Sequence, residues 1–246
     1  MNRKIVKLVI DEKEVSAQEG DTILRAATDN GIYIPTMCYL EGLSSLGGCR
    51  LCLVEIRGSQ RLLPSCSTPV SSGMQVVTTS EKLLKYRKMV IELLLSERTH
   101  ICSVCVANGS CELQDKATEL GVDHVSLTRG WTGYEVDSSH ERFVLDPNRC
   151  ILCTRCIRVC DEIEGVHTLD LMGRGKDSMV IVDLDKPWRS SYSCTSCGKC
   201  SAVCPVGAIY MKDKPLSEVK KKELPSFVNE RRQWKHDESE AGNHLA

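Results

Sequence analysis

Alternating apolar and polar residues open the chain and predict a β-hairpin followed by a helix. Residues 4–10 and 14–17 alternate with the period of two that is typical of strands, and a short polar turn separates them. The next apolar positions fall three and four residues apart, as on one face of a helix. Asp21 or Thr22 can cap the start of this helix, and Gly31 is placed to end it.

A longer helix is predicted from the pattern that follows Thr78. Thr78 and Glu81 have the spacing of a capping box, in which a hydroxyl and a carboxylate satisfy the first free N–H groups. We interpret the apolar stripe of this helix as core that packs against the next domain. From there to about Arg98, six apolar residues recur at helical spacing: Leu83, Leu84, Met89, Val90, Leu93 and Leu94.

Shorter elements are predicted along the rest of the chain. Residues 112–120 should form a helix that Gly121 ends. After Cys160 a short helix should end near Gly165. Runs of β-branched and apolar residues predict strands at 53–57, 61–63, 142–145, 179–184 and 208–212.

The last part of the chain is rich in Lys, Glu and Arg and is interrupted by Pro215 and Pro225. Such a composition predicts a charged tail over 213–246 that stays solvated. The alternative is a docking arm in which Phe227 and Trp234 bind a partner.

The composition of the chain limits which kinds of binding partner and which cellular compartment we expect. With 32 Lys and Arg against 33 Asp and Glu, the net charge of −1 gives no reason to expect nucleic acid or a membrane surface as a partner. The most apolar run, 89–95, contains Glu92 and is too short to span a bilayer, so we expect no direct membrane insertion. Fifteen cysteines do not form a closed disulfide set, and the first residues do not resemble a signal peptide. We therefore expect a cytoplasmic protein.

Two copies of one cysteine spacing dominate the second half of the chain. Each copy reads C-x2-C-x2-C-x3-C, and the second is displaced by 44 residues. In such motifs three cysteines bind one [4Fe-4S] cluster and the fourth binds the neighbouring cluster. Zinc also binds paired C-x2-C motifs, but it gives no reason for two matched runs of four. The predicted ligand sets are Cys150, Cys153, Cys156 and Cys204 for one cluster, and Cys194, Cys197, Cys200 and Cys160 for the other.

Four earlier cysteines predict a [2Fe-2S] cluster. Cys38, Cys49, Cys52 and Cys66 are spaced C-x10-C-x2-C-x13-C, with several glycines in the long first gap. A plant-type ferredoxin has four residues in that gap, so the wider gap departs from its pattern.

The remaining three cysteines follow a histidine and predict a third [4Fe-4S] cluster. His100, Cys102, Cys105 and Cys111 are spaced H-x-C-x2-C-x5-C, and an imidazole can replace a thiolate on iron. The alternative for His100 is a favourable place at a helix C-terminus with no metal. With His100 included, the four ligand sets account for all fifteen cysteines and leave no thiol for nucleophilic catalysis.

Sites for two-electron chemistry are not evident in the sequence. The run from Gly173 lacks the third glycine of a dinucleotide-binding motif, and there is no Walker A sequence. We therefore predict no catalytic residue and no nucleotide or flavin site in this chain, which would carry single electrons between clusters. Four cations near the cluster loops would either raise cluster potentials or solvate the surface: Arg149, Arg155, Arg158 and Lys199.

These motifs predict an α+β fold made of three cluster domains and a tail. A [2Fe-2S] ferredoxin-like domain is expected over 1–79, and a small helical domain with the histidine and three cysteines over 80–121. A bacterial-type ferredoxin domain with two [4Fe-4S] clusters is expected over 122–212, before the tail at 213–246.

The order of these motifs resembles the amino-terminal region of the G-type iron–sulfur subunit of complex I and of [FeFe] hydrogenases. The stretch from Ser96 to Cys105, with one residue between His100 and Cys102, is similar in particular to the U-type diaphorase subunit of NAD(P)-linked [NiFe] hydrogenases. Complex I and [FeFe] hydrogenases usually have three residues in that gap.

The resemblance implies an electron-transfer subunit of a soluble oxidoreductase complex. Its implied partners are a diaphorase subunit that binds FMN and NAD(P), and the small and large subunits of a hydrogenase. An alternative is the equivalent subunit of an NAD-dependent formate dehydrogenase or of a complex I-like NADH oxidoreductase. A further alternative, from the cysteine pattern alone, is a zinc-binding structural scaffold.

Overall fold

The computed structural model describes residues 4–128 and 133–218, which fall in two compact units. Of the described residues, the first unit contains 4–39, 45–96 and 113–128, and the second contains 40–44, 97–112 and 133–218. The proposed anchors Phe227 and Trp234, and the predicted tail beyond residue 218, lie outside the described residues.

A five-stranded sheet forms the centre of the first unit. Its strands are β1 (Ile5–Ile10), β2 (Lys13–Gln18), β3 (Leu53–Ile56), β4 (Leu63–Pro64) and β5 (Gln75–Val77), in the order β2-β1-β5-β3-β4. The predicted hairpins β1–β2 and β3–β4 are both antiparallel. Strand β5, which the sequence pattern did not predict, joins the hairpins by pairing parallel to β1 and antiparallel to β3.

Helix α1 (Ile23–Asp29) packs its apolar face into the core of the same unit. The hydroxyl of Thr22 caps its first turn by accepting a hydrogen bond from the Arg25 N–H at 3.2 Å, which confirms Thr22 rather than Asp21 as the cap. Gly31 ends the helix with a positive φ of 72°.

Helix α2 (Glu81–Glu97) begins differently from the prediction. The hydroxyl of Ser80 accepts the hydrogen bond from the Leu83 N–H at 3.2 Å, so Ser80 is the cap. The predicted capping box is wrong because Asp11 engages both the backbone N–H and the hydroxyl of Thr78.

The apolar stripe predicted for α2 is buried only in part. Leu83 is fully buried, but Leu84, Met89 and Leu93 are 44–50% exposed. The buried face also contains Arg87, a charged residue that the apolar pattern did not predict to be buried. Helix α3 (Glu112–Glu119) follows, and Gly121 with a φ of 65° ends it as predicted.

Two small sheets and several short helical segments lie in the described part of the second unit. Strand β6 (Phe143–Leu145) pairs antiparallel with β9 (Ile209–Met211). Because β6 precedes the first repeated cysteine motif and β9 follows the second motif, this pairing brings the two ends of the region together. Strands β7 (Leu169–Met172) and β8 (Met179–Val182) form an antiparallel hairpin between the two motifs.

The helices of the second unit carry the ends of the cysteine motifs. Helix α4 (Arg155–Arg158) continues into a π-helical turn, Val159–Glu164, that ends at Gly165 as predicted. Helix α5 (Lys199–Val203) occupies the matching place in the second motif. Val159 and Val203, one from each helical segment, pack together with Leu43 in a buried cluster.

Candidate metal centres

The loop between α1 and β3 brings the first four cysteines together. Cys38, Cys52 and Cys66 are buried, and Cys49 is half-buried. The backbone N–H of Cys38 donates a hydrogen bond to the Cys49 Sγ at 3.4 Å. Side-chain hydrogen bonds also join Cys38 to Cys66 and Cys66 to Cys52. The structure therefore places the predicted [2Fe-2S] ligands at one point of the first unit.

Sharing of protons among these thiols separates their pKa values. The hydrogen bond from Cys49 lowers the pKa of Cys38 to about 2, and the bond from Cys66 lowers the pKa of Cys52 to about 6. The same contacts raise the pKa of Cys49 and of Cys66. A hydrogen bond donated to a sulfur favours its thiolate, the form that binds iron.

Arg87 supports the same loop from α2. Its guanidinium donates to the carbonyl oxygens of Leu51 at 3.3 Å, Leu53 at 3.1 Å and Thr78 at 2.9 Å. Leu51 and Leu53 flank Cys52, so Arg87 fixes the backbone on both sides of a predicted ligand. Burial lowers the pKa of Arg87, and the negative charge of Cys52 opposes that effect. This role was not predicted because a charged residue within an apolar helical stripe gives no sequence signal.

The segment with His100 lies in the second unit. A short 3-10 helix, Cys102–Val104, links the first two cysteines, and Cys111 is buried. The Nε2 atom of His100 is also buried. The Cys105 Sγ accepts hydrogen bonds from the Ala107 backbone N–H at 3.4 Å and from the Arg149 guanidinium at 3.5 Å. Ligation of iron by His100 stays a prediction.

The repeated motifs have matched loop conformations. Leu152 and Thr154 in the first loop have positive φ values of 52° and 55°, and their counterparts Ser196 and Gly198 have values of 56° and 81°. Left-handed residues at these two places turn each loop sharply, so that successive cysteines face one centre.

One cavity is lined by the first predicted set of four cysteines. Three come from the first loop, and Cys204 comes from the end of the second motif. Burial raises the pKa of Cys150 to about 12 and that of Cys153 to about 11. The remaining lining contains Thr154 and Pro205 and is otherwise aliphatic: Leu145, Ile151, Val180, Val206, Ala208 and Ile209. Closely spaced thiols in a largely apolar wall fit an iron–sulfur cluster, whose iron prefers thiolate ligands.

A second cavity is lined by the other predicted set, with Cys160 contributed by the first motif. Cys200 is buried and Cys197 is exposed. The indole Nε1 of Trp188 donates a hydrogen bond to the Cys194 Sγ at 3.3 Å. Trp188 was not singled out in the sequence because it precedes the motif by six residues and belongs to no known ligand pattern.

The predicted cations near the loops differ in their surroundings. Arg155 is buried and forms two hydrogen bonds to the Glu112 carboxylate, at 2.8 and 3.0 Å. Burial alone lowers the pKa of Arg155, but the Glu112 charge raises it overall. Arg158 is buried and donates to the Cys153 carbonyl at 3.0 Å. Lys199 forms an ion pair with Glu164. Surface solvation is therefore wrong for Arg155 and Arg158. The Arg149 guanidinium contacts a cysteine sulfur, the Cys105 Sγ.

Two further features are absent from the described residues. No group of three or more His, Cys, Asp or Glu side chains in residues 4–128 and 133–218 has the arrangement of a single-metal-ion site. Within the same residues, no helix combines the length and the apolar character that crossing a membrane requires.

Family models match three successive parts of the chain. Residues 3–81 match a 2Fe-2S iron-sulfur cluster binding domain. Residues 87–126 match the NADH-ubiquinone oxidoreductase-G iron-sulfur binding region. Residues 142–210 match the ferredoxin-like domain of NADH-quinone oxidoreductase subunit 3. The fold is accordingly a mixed helix and sheet fold with ferredoxin-like regions of both cluster types.

Several known proteins are similar to this chain over most of its length. It is 38% identical over 210 residues to the NADP-reducing hydrogenase subunit HndD of Solidesulfovibrio fructosivorans, matching 83% of this chain and 36% of the relative. It is 37% identical over 208 residues to the NADPH-Fe(3+) oxidoreductase subunit alpha of Geobacter sulfurreducens, matching 85% of this chain and 24% of the relative. The chain thus spans about a quarter to a third of the length of these curated relatives.

A solved structure is similar over nearly the whole of both chains. It is a chain in the crystal structure of an NAD+-reducing [NiFe]-hydrogenase in the H2-reduced state. The match has 34% sequence identity and a TM-score of 0.80, and it covers 85% of this chain and 88% of the other.

Proposed function

Because the chain belongs to the family of U-type (HoxU-type) diaphorase subunits of NAD(P)-linked [NiFe] hydrogenases, related to the G-type iron–sulfur subunit of complex I, we propose that it relays single electrons within such a complex. The electrons pass between a subunit that binds FMN and NAD(P) and the hydrogenase small and large subunits. The chain itself oxidises or reduces neither NAD(P) nor hydrogen.

The proposed cofactors are one [2Fe-2S] cluster and three [4Fe-4S] clusters, which exchange one electron at a time. Cys38, Cys49, Cys52 and Cys66 hold the first. His100 with Cys102, Cys105 and Cys111 holds the second. The paired clusters are held by Cys150, Cys153, Cys156 and Cys204, and by Cys194, Cys197, Cys200 and Cys160. The domain bounds proposed with them are 1–79, 80–121 and 122–212, followed by a tail at 213–246.

The observation that carries the proposal is the pair of cavities in the second unit. Each is lined by three cysteines of one motif and one cysteine of the other, so each motif completes the other's site. Strand pairing between β6 and β9 and packing between Val159 and Val203 hold the two motifs together. This crossed arrangement supports two neighbouring clusters, which a chain of electron transfer requires.

The residues around the cavities have a definite role in this proposal. The aliphatic wall of the first cavity excludes water, which lowers the local dielectric constant and protects the thiolate ligands. The guanidinium of Arg149 places a positive charge at the Cys105 Sγ, where it favours the reduced and more negative state of a cluster. We place the complex in the cytoplasm, where a reducing environment keeps cysteine thiolates available.

The function is tested in the complete complex by Cys204→Ser, which removes one ligand contributed by the second motif to the cluster of the first. We expect hydrogen-dependent NAD(P)+ reduction to fall, while NAD(P)H-dependent dye reduction by the flavin subunit continues. The matched control is Ser201→Ala on α5, the helix that Cys204 follows. Equal loss of both activities in Cys204→Ser, or hydrogen oxidation by the purified chain alone, would count against the proposal.

A role in a different oxidoreductase complex is supported by similarity to subunits of other complexes. The chain is 36% identical over 208 residues to the NADH-ubiquinone oxidoreductase 75 kDa subunit of Reclinomonas americana, but it matches only 30% of that protein. An equivalent role in a complex I-like oxidoreductase or an NAD-dependent formate dehydrogenase therefore remains the alternative. Affinity purification of the native complex separates these cases by the catalytic subunit that accompanies the chain.

A further inference from the structure

The two repeated cysteine loops have the same spacing but different surroundings. Mostly aliphatic side chains, and no aromatic ring, complete the cavity of the first set. The cavity of the second set instead contains two aromatic rings, those of Phe143 and Trp188. Because the potential of a cluster depends on its surroundings as well as its ligands, identical motifs here need not give identical potentials.

Trp188 has a fixed orientation in this cavity. Its side chain is buried, with 1% exposure of the residue. Its ring stacks on Phe143 at a centroid distance of 5.3 Å and an interplanar angle of 27°, and the ring of His140 lies 5.3 Å away. The backbone N–H of Trp188 donates to the Asp137 carboxylate at 2.7 Å. Contacts to both the ring and the backbone therefore determine where the indole N–H points.

The acceptor of this N–H is a cysteine sulfur. A buried indole N–H requires an acceptor, and here it is the Cys194 Sγ at 3.3 Å. Addition of one electron to a bound cluster increases the negative charge on its ligand sulfurs. An N–H dipole directed at one of them stabilises that charge, and a buried site with low dielectric constant strengthens the effect.

We propose that Trp188 is a positioning residue for electron transfer, whose indole N–H raises the midpoint potential of the cluster held by Cys194 and its three partner ligands. The proposal rests on the proposed function, since it requires a cluster at this site. A higher midpoint potential favours the reduced state of this cluster, one of whose ligands, Cys197, is exposed. An electron held there is accessible to a redox partner at the surface.

The test compares Trp188→Phe with Phe143→Leu in the full chain, by EPR-monitored reductive titration with dithionite. Trp188→Phe keeps an aromatic ring but removes the N–H, whereas Phe143→Leu alters the same stack and keeps the N–H. We expect the midpoint potential of one [4Fe-4S] cluster to shift downward in Trp188→Phe and to shift less in Phe143→Leu. The other three clusters should titrate as in the wild type.

Iron and sulfide content separates failure of this proposal from failure of the proposed function. A wild-type chain without clusters would overturn both. A Trp188→Phe variant with full cluster content and an unchanged potential would overturn only the role of Trp188. If that variant does not assemble its clusters, pulsed EPR of the reduced wild-type chain labelled with 15N-indole tryptophan decides the question. Hyperfine coupling between a cluster and an indole 15N is expected, and its absence would refute the proposal.

Discussion

Glu112→Gln is expected to weaken the link between two cysteine segments of the second unit. Glu112 follows Cys111 directly, and its carboxylate binds the guanidinium of Arg155, which lies between two cysteines of the first repeated motif. The two hydrogen bonds measure 2.8 and 3.0 Å. The Arg155 side chain is 4% exposed and the Glu112 side chain 37%. The substitution therefore leaves a buried cation without its anionic partner.

The size of the effect follows from this burial. Removing one partner of a fully buried ion pair costs about 3–5 kcal/mol. Because more than a third of the Glu112 side chain is exposed, solvent screens the pair. Gln also keeps one acceptor oxygen, so we expect a loss of about 2 kcal/mol in the free energy of unfolding. For a protein of this size the corresponding decrease in Tm is about 4–8 °C.

The assay is thermal loss of the visible absorbance of the clusters, scanned anaerobically at one fixed rate. Arg155→Met should cost less than Glu112→Gln, because it leaves the partly exposed carboxylate in contact with water. The double variant should recover part of the loss, since it removes both charges together. An unchanged Tm in Glu112→Gln, or a larger loss in Arg155→Met, would refute the reasoning.

Three further predictions concern the Ser80 cap of α2, the close approach of Gly207 to Cys105, and the positive charge of Arg149. Ser80→Ala should reduce stability by about 1 kcal/mol through loss of the α2 cap, measured as a lower Tm. Gly207→Val should abolish the EPR signal of the cluster near Cys105, because even one added carbon at Gly207 would lie 3.2 Å from the Cys105 Sγ. Arg149→Met should lower the midpoint potential of that same cluster, because it removes a positive charge 3.5 Å from the sulfur.

Matched controls accompany these three variants. Thr79→Ala tests whether any hydroxyl before α2 has the effect of Ser80, and it should leave Tm nearly unchanged. Gly133→Val adds the same side chain where, apart from the chain neighbours, no atom of the described residues lies within 4 Å of the new carbon, so all clusters should be retained. Arg174→Met removes an exposed cation and should not move the potential. A full set of EPR signals in Gly207→Val, or equal potentials in Arg149→Met and wild type, would contradict the assigned contacts.

Local elements of the fold were predictable because their signals are local. The period of two in β1 and β2, the Thr22 cap and the glycines that end α1 and α3 all act within a few residues. Strand β5 was missed because it is three residues long, and its place depends on β1 and β3, which are distant in sequence. The start of α2 was mispredicted for a similar reason, since the distant Asp11 binds Thr78.

The candidate sites divide in the same way. In the repeated motifs the two-residue gaps predicted that the first three thiols lie close together, because so short a loop cannot place them elsewhere, and these thiols line one cavity in each motif. It could not reveal Arg87 or Trp188, whose contacts to the cluster loops depend on tertiary packing. Nor could it separate the buried Arg155 from the half-buried Arg149 and Lys199, because the partner Glu112 lies 43 residues away.

The central claim is that the chain holds four iron–sulfur clusters, and the most direct measurement is its iron and acid-labile sulfide content with EPR of the dithionite-reduced, anaerobically purified chain. The account predicts about fourteen irons and as many sulfides per chain, from one [2Fe-2S] and three [4Fe-4S] clusters. His100→Ala should alter or remove one signal, whereas the exposed His167→Ala should not. Zinc without sulfide would contradict the account and favour a structural scaffold.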